Sequence, residues 1–451
     1  MPRLLLAALL FASGSAAAAT PAAAALEKTV DADVLAWRRD FHEHPELSNR
    51  EFRTGKVVAE QLTAMGLEVK TGIAHTGVIA VLHGGKPGPR IALRADMDAL
   101  PVTEQVDLPF ASKAKAEFRG ETVGVMHACG HDAHTAMLLG VAKALASIKA
   151  DLPGEVLFIF QPAEEGPPGD EDGGAAMMLA EGVFRDFKPE VVFGMHVWST
   201  LNAGQVGLHP GPFWAGSDRF HIVVKGRQTH GAKPWAGIDP IVTAADIIVT
   251  AQNIVSRRLD ITKEPAVLSF GAIKGGIRYN IIPDEVDLVG TIRTFDPGMR
   301  QQIFDELKSV SEHVAAANGA TVVAQIPDRP GVPITVNDPA LSQRVLPSLQ
   351  AAVGANNVLS IPQMTVAEDF SEFANSVPGV YFLVGSTPVG QDATTAPPNH
   401  SPKFFLDESA LAVGTKAMLQ VALDYLNGTV GGASGPDVVG GAKSGLKPLP
   451  Q

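Results

Sequence analysis

The sequence predicts an α/β protein with a mainly parallel sheet, interrupted by a ferredoxin-like β-α-β-β-α-β segment. Strands alternate with helices over residues 78–197 and again after residue 332. These strands are apolar on both faces, which is typical of a parallel sheet covered by helices on two sides. The pattern changes over residues 214–327, where two consecutive strands lie between two helices, and this order defines the ferredoxin-like segment.

The chain is too long for one simple core, because it has 451 residues. We divide it into a signal peptide (1–25), a first part of the main domain (26–213), an inserted domain (214–327), a second part of the main domain (328–427) and a disordered tail (428–451). The tail is rich in Gly, Ser, Ala and Pro.

The first 25 residues have the layout of a secretory signal peptide. Arg3 precedes the apolar run 4–11, and small residues with several A-x-A sites follow. The run is too short to span a bilayer, so we expect an exported protein, periplasmic or secreted, without a membrane anchor. The formal net charge of −12 and the absence of a Lys/Arg cluster argue against nucleic acid as a partner.

Hydrophobic spacing and turn residues predict the elements in order. In the main domain they are helices over 26–46 and 51–65, strands over 78–83 and 91–95, a helix over 134–148, a strand over 156–160, a helix over 175–181, a strand over 191–197, a strand over 380–384 and a helix over 408–426. In the insert they are strand 220–225, helix 240–257, strands 267–273 and 285–293, helix 299–318 and strand 321–325.

The stretch MHACGHDAH, residues 126–134, concentrates metal-binding side chains. It holds the only cysteine of the chain and three of its thirteen histidines, and thiolate and imidazole are typical zinc ligands. Cys129 and His131 are two residues apart, so both can point the same way in an extended or turning segment. The alternative is a buried cysteine flanked by solvent-facing histidines, but metal binding would protect an unpaired thiol in an oxidising compartment.

Further polar groups follow two predicted strands. Strand 156–160 leads into Glu164-Glu165, and strand 191–197 carries His196. Ligands gather at the carboxyl ends of parallel strands, so these groups should meet the 126–134 stretch. Each alone has a structural alternative, a satisfied core histidine for His196 and a surface carboxylate for Glu164, but the convergence of three segments favours a site.

The motifs MHACGHDAH, QPAEEG, GMH and APPNHSP, together with the ferredoxin-like insert, resemble the metal-dependent aminoacylase-like amidohydrolases, which include hippurate hydrolases and auxin-conjugate hydrolases. The resemblance extends from Trp37-Arg38-Arg39-Asp40-Phe41-His42 to residue 426. It implies two divalent metal ions per subunit, with zinc favoured by the soft thiolate and manganese, nickel or cobalt as alternatives. The implied ligands are Cys129, His131, Glu165, His196 and His400.

The resemblance also implies the catalytic groups. Glu164 would be the general base for a metal-activated water that attacks the scissile amide. His230, in Thr229-His230-Gly231-Ala232, would help to hold the oxyanion of a partner subunit, which makes the insert a lid and dimerisation domain. Trp235 departs from the commonest family pattern, in which a second histidine stands at this position.

Two residues of the insert are expected to bind substrate. Asn280 and Arg293 resemble substrate-binding positions, and an arginine can bind a free carboxylate through two hydrogen bonds. The alternative for Arg293 is a solvated strand charge. Asp96 and Asp98 are expected either to orient ligand imidazoles or to act as turn residues, while Glu368-Asp369-Phe370 matches a family segment without a defined role.

Three functions remain open on these grounds. The leading hypothesis is an amidohydrolase that cleaves N-acyl amino acids. The second is a metallocarboxypeptidase or dipeptidase of the same fold acting on short peptides, since it needs the same catalytic centre. The third is a metal-binding protein that has lost catalysis.

Overall fold

The computed structural model describes residues 22–169, 171–430 and 447–448. Residues 1–21, which carry most of the predicted signal peptide, and most of the predicted tail lie outside the described residues. The helices are α1 (Ala23–Lys28), α2 (Asp31–Glu43), α3 (Phe52–Ala64), α4 (His131–Ser147), α5 (Gly174–Ala180), α6 (Val183–Phe187), α7 (Pro240–Asn253), α8 (Pro297–Ala317), α9 (Pro339–Val353), α10 (Phe370–Ser376) and α11 (Ser409–Leu426).

The strands are β1 (Glu68–Ile73), β2 (Gly77–His83), β3 (Lys86–Asp96), β4 (Lys115–Phe118), β5 (Glu121–Gly124), β6 (Pro153–Gln161), β7 (Val191–Asn202), β8 (Val206–Leu208), β9 (Gly211–Trp214), β10 (Gly216–Lys225), β11 (Thr229–His230), β12 (Ala266–Gly275), β13 (Ile281–Ile282), β14 (Glu285–Thr294), β15 (Thr321–Gln325), β16 (Thr335–Asn337), β17 (Val358–Ser360), β18 (Gly379–Thr387) and β19 (Lys447–Pro448).

The large sheet is mixed, with five of its eight strand pairings parallel. Its order is β1-β2-β6-β3-β7-β18-β8-β17-β19, and β6, β3, β7 and β18 are parallel to one another. The expectation of parallel pairing is wrong at the flanks, where β1, β2 and β6 pair antiparallel and β8 runs antiparallel to β18. The connection between β1 and β2 is a short hairpin turn, and a parallel pair would need a crossover of a dozen residues or more.

Helices cover both faces of the large sheet. One face packs on the helices that contribute Phe41, Met137 and Leu419 to a core, and the other packs on the helices that contribute Met178 and Phe373. Burial on both faces explains why the central strands are continuous apolar runs. The predicted helix over 26–46 is two helices, because the chain breaks at Thr29-Val30 and the Thr29 hydroxyl donates to the Leu26 carbonyl at 2.6 Å.

The segment from β10 to β15 forms a second sheet. Its order is β12-β14-β10-β15 with antiparallel pairing throughout, and the element order is the predicted β-α-β-β-α-β. Helices α7 and α8 cover one face around Ile247, Leu288 and Leu307. Beyond one end of this sheet, β11 and β13 form a small separate pair. Within the described residues, no helix combines the length and the hydrophobicity that a membrane span requires.

Candidate metal centre

The segment before α4 places two donors side by side. Cys129 is followed by Gly130, whose φ of 94° lies in the left-handed region, and His131 begins α4. A Cβ atom at Gly130 would lie 2.2 Å from the Val197 side chain on β7, so only glycine fits here. The turn therefore aims Cys129 and His131 at the carboxyl ends of the central strands.

The five predicted metal ligands converge at this place. Cys129 Sγ lies 3.3 Å from His196 Nε2 and 3.2 Å from His400 Nε2. Glu165 Oε1 lies 3.0 Å from His400 Nε2 and 4.0 Å from His131 Nε2. The groups Cys129–His131–His196 and Cys129–Glu165–His400 each have donor atoms close enough to hold one cation. Because both groups contain Cys129, the arrangement fits two neighbouring ions.

An unpartnered atom and charge both favour cations here. His131 Nε2 is buried without a hydrogen-bond partner, which is costly unless a ligand binds it. Burial raises the pKa of the Cys129 thiol, and the nearby Glu165 and Glu164 raise it further. Burial would lower the pKa of His131, but Asp96, Asp98 and Glu165 outweigh it and raise the pKa to about 10. Divalent cations would displace these protons.

We expect Cys129→Ser to weaken metal binding by at least about 100-fold, the upper range for changes to groups that only support ligands. A neutral hydroxyl replaces the one thiolate shared by both donor groups. Cys129→Asp restores an anionic donor and should recover part of the affinity. Competition against a chelator, followed by metal analysis, measures both variants. Unchanged affinity in the serine variant would remove Cys129 from the ligand set.

Asp98 and Asp96 lie next to different histidines. Asp98 Oδ1 is 3.3 Å from His131 Nδ1, and the Asp98 carboxylate accepts the backbone N–H groups of Glu164 and Glu165 at 3.1 and 3.0 Å. Asp98 thus contacts both the imidazole of the predicted ligand His131 and the turn that carries Glu164 and Glu165. Asp96 instead lies 2.6 Å from Nδ1 of His134.

His134 has a larger role than the sequence indicates. Its Nε2 accepts the Val197 N–H at 2.8 Å, next to the ligand His196. Asp96 on β3 lies at the other ring nitrogen, Nδ1. His134 therefore connects β3 to β7 next to the predicted ligands. The sequence predicts for this position only the start of the helix over 134–148.

Glu164 faces a second group of acids that the sequence left without a role. Carboxylate oxygens of Glu164, Glu368 and Asp369 lie within 4.8 Å of one another. Burial raises the pKa of Glu164 well above its usual value, and Glu368, Glu165 and Asp369 raise it further. Glu164 is therefore an unusually basic carboxylate.

A fully buried arginine balances these acids. Arg94 contacts Asp96, Glu368 and Asp369 at 2.5, 2.8 and 3.0 Å, and the Tyr381 hydroxyl donates to Glu368 at 2.7 Å. An arginine inside a strand that is buried on both faces requires such partners. This was the one sequence signal that could have revealed the network.

Glu51 stabilises the turn that carries Glu164. The Glu51 carboxyl accepts the Ala163 N–H at 2.8 Å and lies 2.5 Å from the Thr76 hydroxyl. Ala163 has a positive φ of 53°, a backbone conformation that needs such support. Burial raises the pKa of Glu51 to about 8, and Asp98 contributes.

We expect Glu51→Gln to change how stability depends on pH. Folded Glu51 keeps its proton up to about pH 8 while the unfolded chain releases it near pH 4.5, so wild-type stability falls as the pH rises between these values. Glutamine cannot ionise, so from pH 5 to pH 8 the variant should gain at least about 1.4 kcal/mol over wild type, the equivalent of one pKa unit. Urea unfolding of chelator-treated protein at both pH values measures this gain. The exposed Glu60→Gln is the control, and equal pH slopes in all three proteins would contradict the assignment.

The predicted residues of the insert do not join the cluster within the described chain. His230 is exposed, and its Nδ1 accepts the Ala232 N–H at 2.9 Å, so the neutral ring carries its proton on Nε2. The Asn280 carbonyl accepts the Gly231 N–H at 2.8 Å, which places Asn280 beside His230. Trp235 lies in the same part of the insert and is 80 % exposed. We call this part, around His230, Trp235 and Asn280, the tip of the insert.

Arg293 lies far from that tip. It is near the opposite end of β14, paired with Ser217, and the eight residue steps from Glu285 to Arg293 correspond to roughly 26 Å of strand. Burial lowers the pKa of Arg293, and the carboxylate of Asp218 that opposes this shift is already bound by Arg300 at 2.6 Å. Arg293 is thus a half-buried cation available for an anionic ligand.

A Cys/His/Glu donor cluster with a basic carboxylate, at the carboxyl edge of a mixed α/β sheet, defines a metal-dependent hydrolase. The family model of Peptidase family M20/M25/M40 matches residues 92–424. The chain belongs to this family, which sets aside the third hypothesis of a non-catalytic protein.

Individual relatives match nearly the whole chain. This chain is 39% identical to Thermostable carboxypeptidase 2 of Saccharolobus solfataricus, over 89% of this chain and 97% of the relative. It is 37% identical to N-acetylcysteine deacetylase of Bacillus subtilis, over 89% and 98%. Among solved structures, the Bacillus subtilis YXEP protein, a dinuclear metal binding peptidase from the M20 family, matches with a TM-score of 0.71 and 36% identity over 89% of this chain and 99% of that one.

Proposed function

We propose that this enzyme hydrolyses the amide bond of N-acyl amino acids at a two-metal centre. The observation that carries the proposal is the position of Glu164, a basic carboxylate next to the donor cluster Cys129–His131–Glu165–His196–His400. The similarity to a deacetylase of N-acetylcysteine supports the substrate class. A metallocarboxypeptidase or dipeptidase of the same fold would need the same centre, so substrate choice depends on the groups around that centre.

The chain's own residues account for the proton transfers. Two divalent cations held by the five donors would polarise the scissile carbonyl and make water more acidic. Glu164 takes the proton of the attacking water and returns it to the leaving amine. The burial and the neighbouring acids that raise its pKa help it to retain that proton between the two steps.

Three residues of the insert complete the proposed site. His230 donates from Nε2–H to the oxyanion that develops on the scissile carbonyl. Arg293 binds the free carboxylate of the amino acid, which suits its partly buried guanidinium without an ion-pair partner of its own. Asn280, next to His230, is expected to contact the substrate from the same side.

The soft Cys129 ligand favours zinc as the native metal, with manganese, nickel or cobalt as alternatives.

We also propose a homodimer through the insert, which then acts as a lid. Nine of the thirteen exposed large hydrophobic side chains among the described residues lie in 214–327, including Val249, Ile273 and Tyr279. Such a concentration of exposed apolar surface is typical of an interaction site. Strand β12 is also an edge of its sheet, with unpaired backbone groups that a second copy could bind.

The predicted signal peptide supports export as the proposed localisation. The predicted boundary after residue 25 would cut α1, whose Ala23 and Leu26 are buried in the main core, so we place the cleavage before Ala23. Fractionation of cells that express the full chain, followed by N-terminal sequencing, tests this proposal. Intact chain confined to the cytoplasm would contradict it.

The second candidate is a carboxypeptidase or dipeptidase, favoured by the similarity to Thermostable carboxypeptidase 2. A panel of N-acetyl amino acids, hippurate, dipeptides and N-blocked longer peptides, assayed with each candidate metal, separates the two. We expect the highest kcat/KM on N-acyl amino acids. A clear preference for free dipeptides or for longer peptides would favour the second candidate.

A further inference from the structure

The motif Trp37-Arg38-Arg39-Asp40-Phe41-His42 contributes nothing to the proposed reaction, yet two of its polar members are buried. Arg38 and His42 lie one turn apart on α2 and are 3 % and 2 % exposed. Both reach Asp132, which follows the ligand His131 in the first turn of α4. His42 Nδ1 lies 2.7 Å and Arg38 Nε 3.1 Å from Asp132 Oδ2.

The second nitrogen of His42 binds another buried acid. His42 Nε2 lies 3.0 Å from Glu104 Oε1, and the other Glu104 oxygen accepts the Ser112 N–H at 2.5 Å. Burial alone would lower the pKa of His42, but Asp132 and Glu104 outweigh it and raise the pKa. A carboxylate only accepts hydrogen bonds, so a doubly protonated imidazole is the form that satisfies both partners.

Glu104 belongs to a loop, residues 97–112, that contacts several ligand-bearing segments. The loop contains Asp98, beside His131. Leu100 exchanges backbone hydrogen bonds with Met126 at 3.0 and 3.1 Å, and the Gln105 N–H donates to the Pro402 carbonyl at 2.8 Å. Pro402 is two residues beyond the ligand His400.

We propose that His42 is a positioning residue of the metal centre, which ties the ligand turn at 129–132 to the loop that contacts the His400 segment. The proposal rests on the two-metal centre of the proposed function. The hydrogen-bond partners of His42 are Arg38, Asp132 and Glu104, none of which is a proposed metal ligand. Loss of His42 should therefore raise the metal dissociation constant and lower kcat, while KM changes little.

Three substitutions separate the two bonds of His42. In His42→Asn the amide nitrogen can replace Nδ1 toward Asp132, in His42→Gln it can replace Nε2 toward Glu104, and His42→Leu retains neither. Arg39→Ala is the matched control. It is on the same helix and binds Glu408 at 2.6 Å, without a contact to Asp132.

The readouts are the zinc and manganese dissociation constants from chelator competition, kcat and KM, and the thermal stability of metal-free protein. We expect His42→Leu to raise the dissociation constants about 10- to 100-fold, the Asn and Gln variants to give smaller increases, and Arg39→Ala to match wild type. Lower stability with unchanged dissociation constants in the Asn and Gln variants would overturn the proposal, even if His42→Leu does not fold. Wild-type protein that binds neither metal would instead refute the metal centre itself.

Discussion

Glu164→Gln should lower kcat by about 10²- to 10⁴-fold, the usual contribution of a general base, while metal affinity stays close to that of wild type. Glutamine has nearly the same shape but cannot take the proton of the attacking water. Glu164 is not among the five proposed ligands. The substitution also removes one acid from the Glu164–Glu368–Asp369 group, so the folded protein should be no less stable.

The measurement combines kcat on an N-acetyl amino acid, metal content of the purified protein and its melting temperature. Glu171→Gln is the matched control, because this glutamate is in the same loop but pairs with Arg50 at 2.7 Å near the surface. Its kcat should equal that of wild type. Undiminished hydrolysis by the Glu164 variant, at full metal content, would show that another group is the base.

Much of the site could be predicted because parallel strands present their carboxyl ends at one edge. Glu165 follows β6 and His196 lies within β7, two strands of the parallel centre. The turn before α4 brings Cys129 to them. Local sequence alone places these donors. His400 is different, because it lies in an irregular loop with no periodic signal, and only the family resemblance pointed to it.

The rest of the site depends on contacts between distant segments, which periodicity does not encode. Arg94 meets Glu368 and Asp369 more than 270 residues away. Arg38 and His42 are buried, although the hydrophobic spacing of that helix assigns its inner face to its apolar residues. Their burial depends on Asp132 and Glu104, whose positions follow only from the folded chain.

The strand directions at the flanks of the large sheet were also not predictable from the hydrophobic pattern. Hydrophobic pattern identifies a strand but not its direction, and the chain direction at β2 and β8 follows from short connections. The start of α4 at His131 rather than His134 has a local cause, since the left-handed Gly130 sets the first turn.

Heterodimers of a His230→Ala subunit with a Glu164→Gln subunit should recover about half of the wild-type activity per dimer, although each homodimer is nearly inactive. Loss of an oxyanion donor costs about 10²- to 10³-fold. If His230 serves the partner's site, one of the two sites in the heterodimer has both Glu164 and His230 intact. If it serves its own site, each site lacks one of them.

The same heterodimer experiment with Arg293→Ala is an internal control, because Arg293 and His230 lie at opposite ends of the insert. His230 and Asn280 share the exposed tip, whereas Arg293 is near the far end of β14, where the Ser217 N–H donates to the Val332 carbonyl at 2.9 Å close to the main domain. We therefore expect Asn280→Ala to be rescued by the Glu164→Gln subunit and Arg293→Ala not to be. Separately tagged subunits purified over two columns give verified heterodimers for the assay. No activity in the His230→Ala heterodimer would place His230 in its own subunit's site, and rescue of Arg293→Ala would show that the whole insert, rather than its tip, serves the partner.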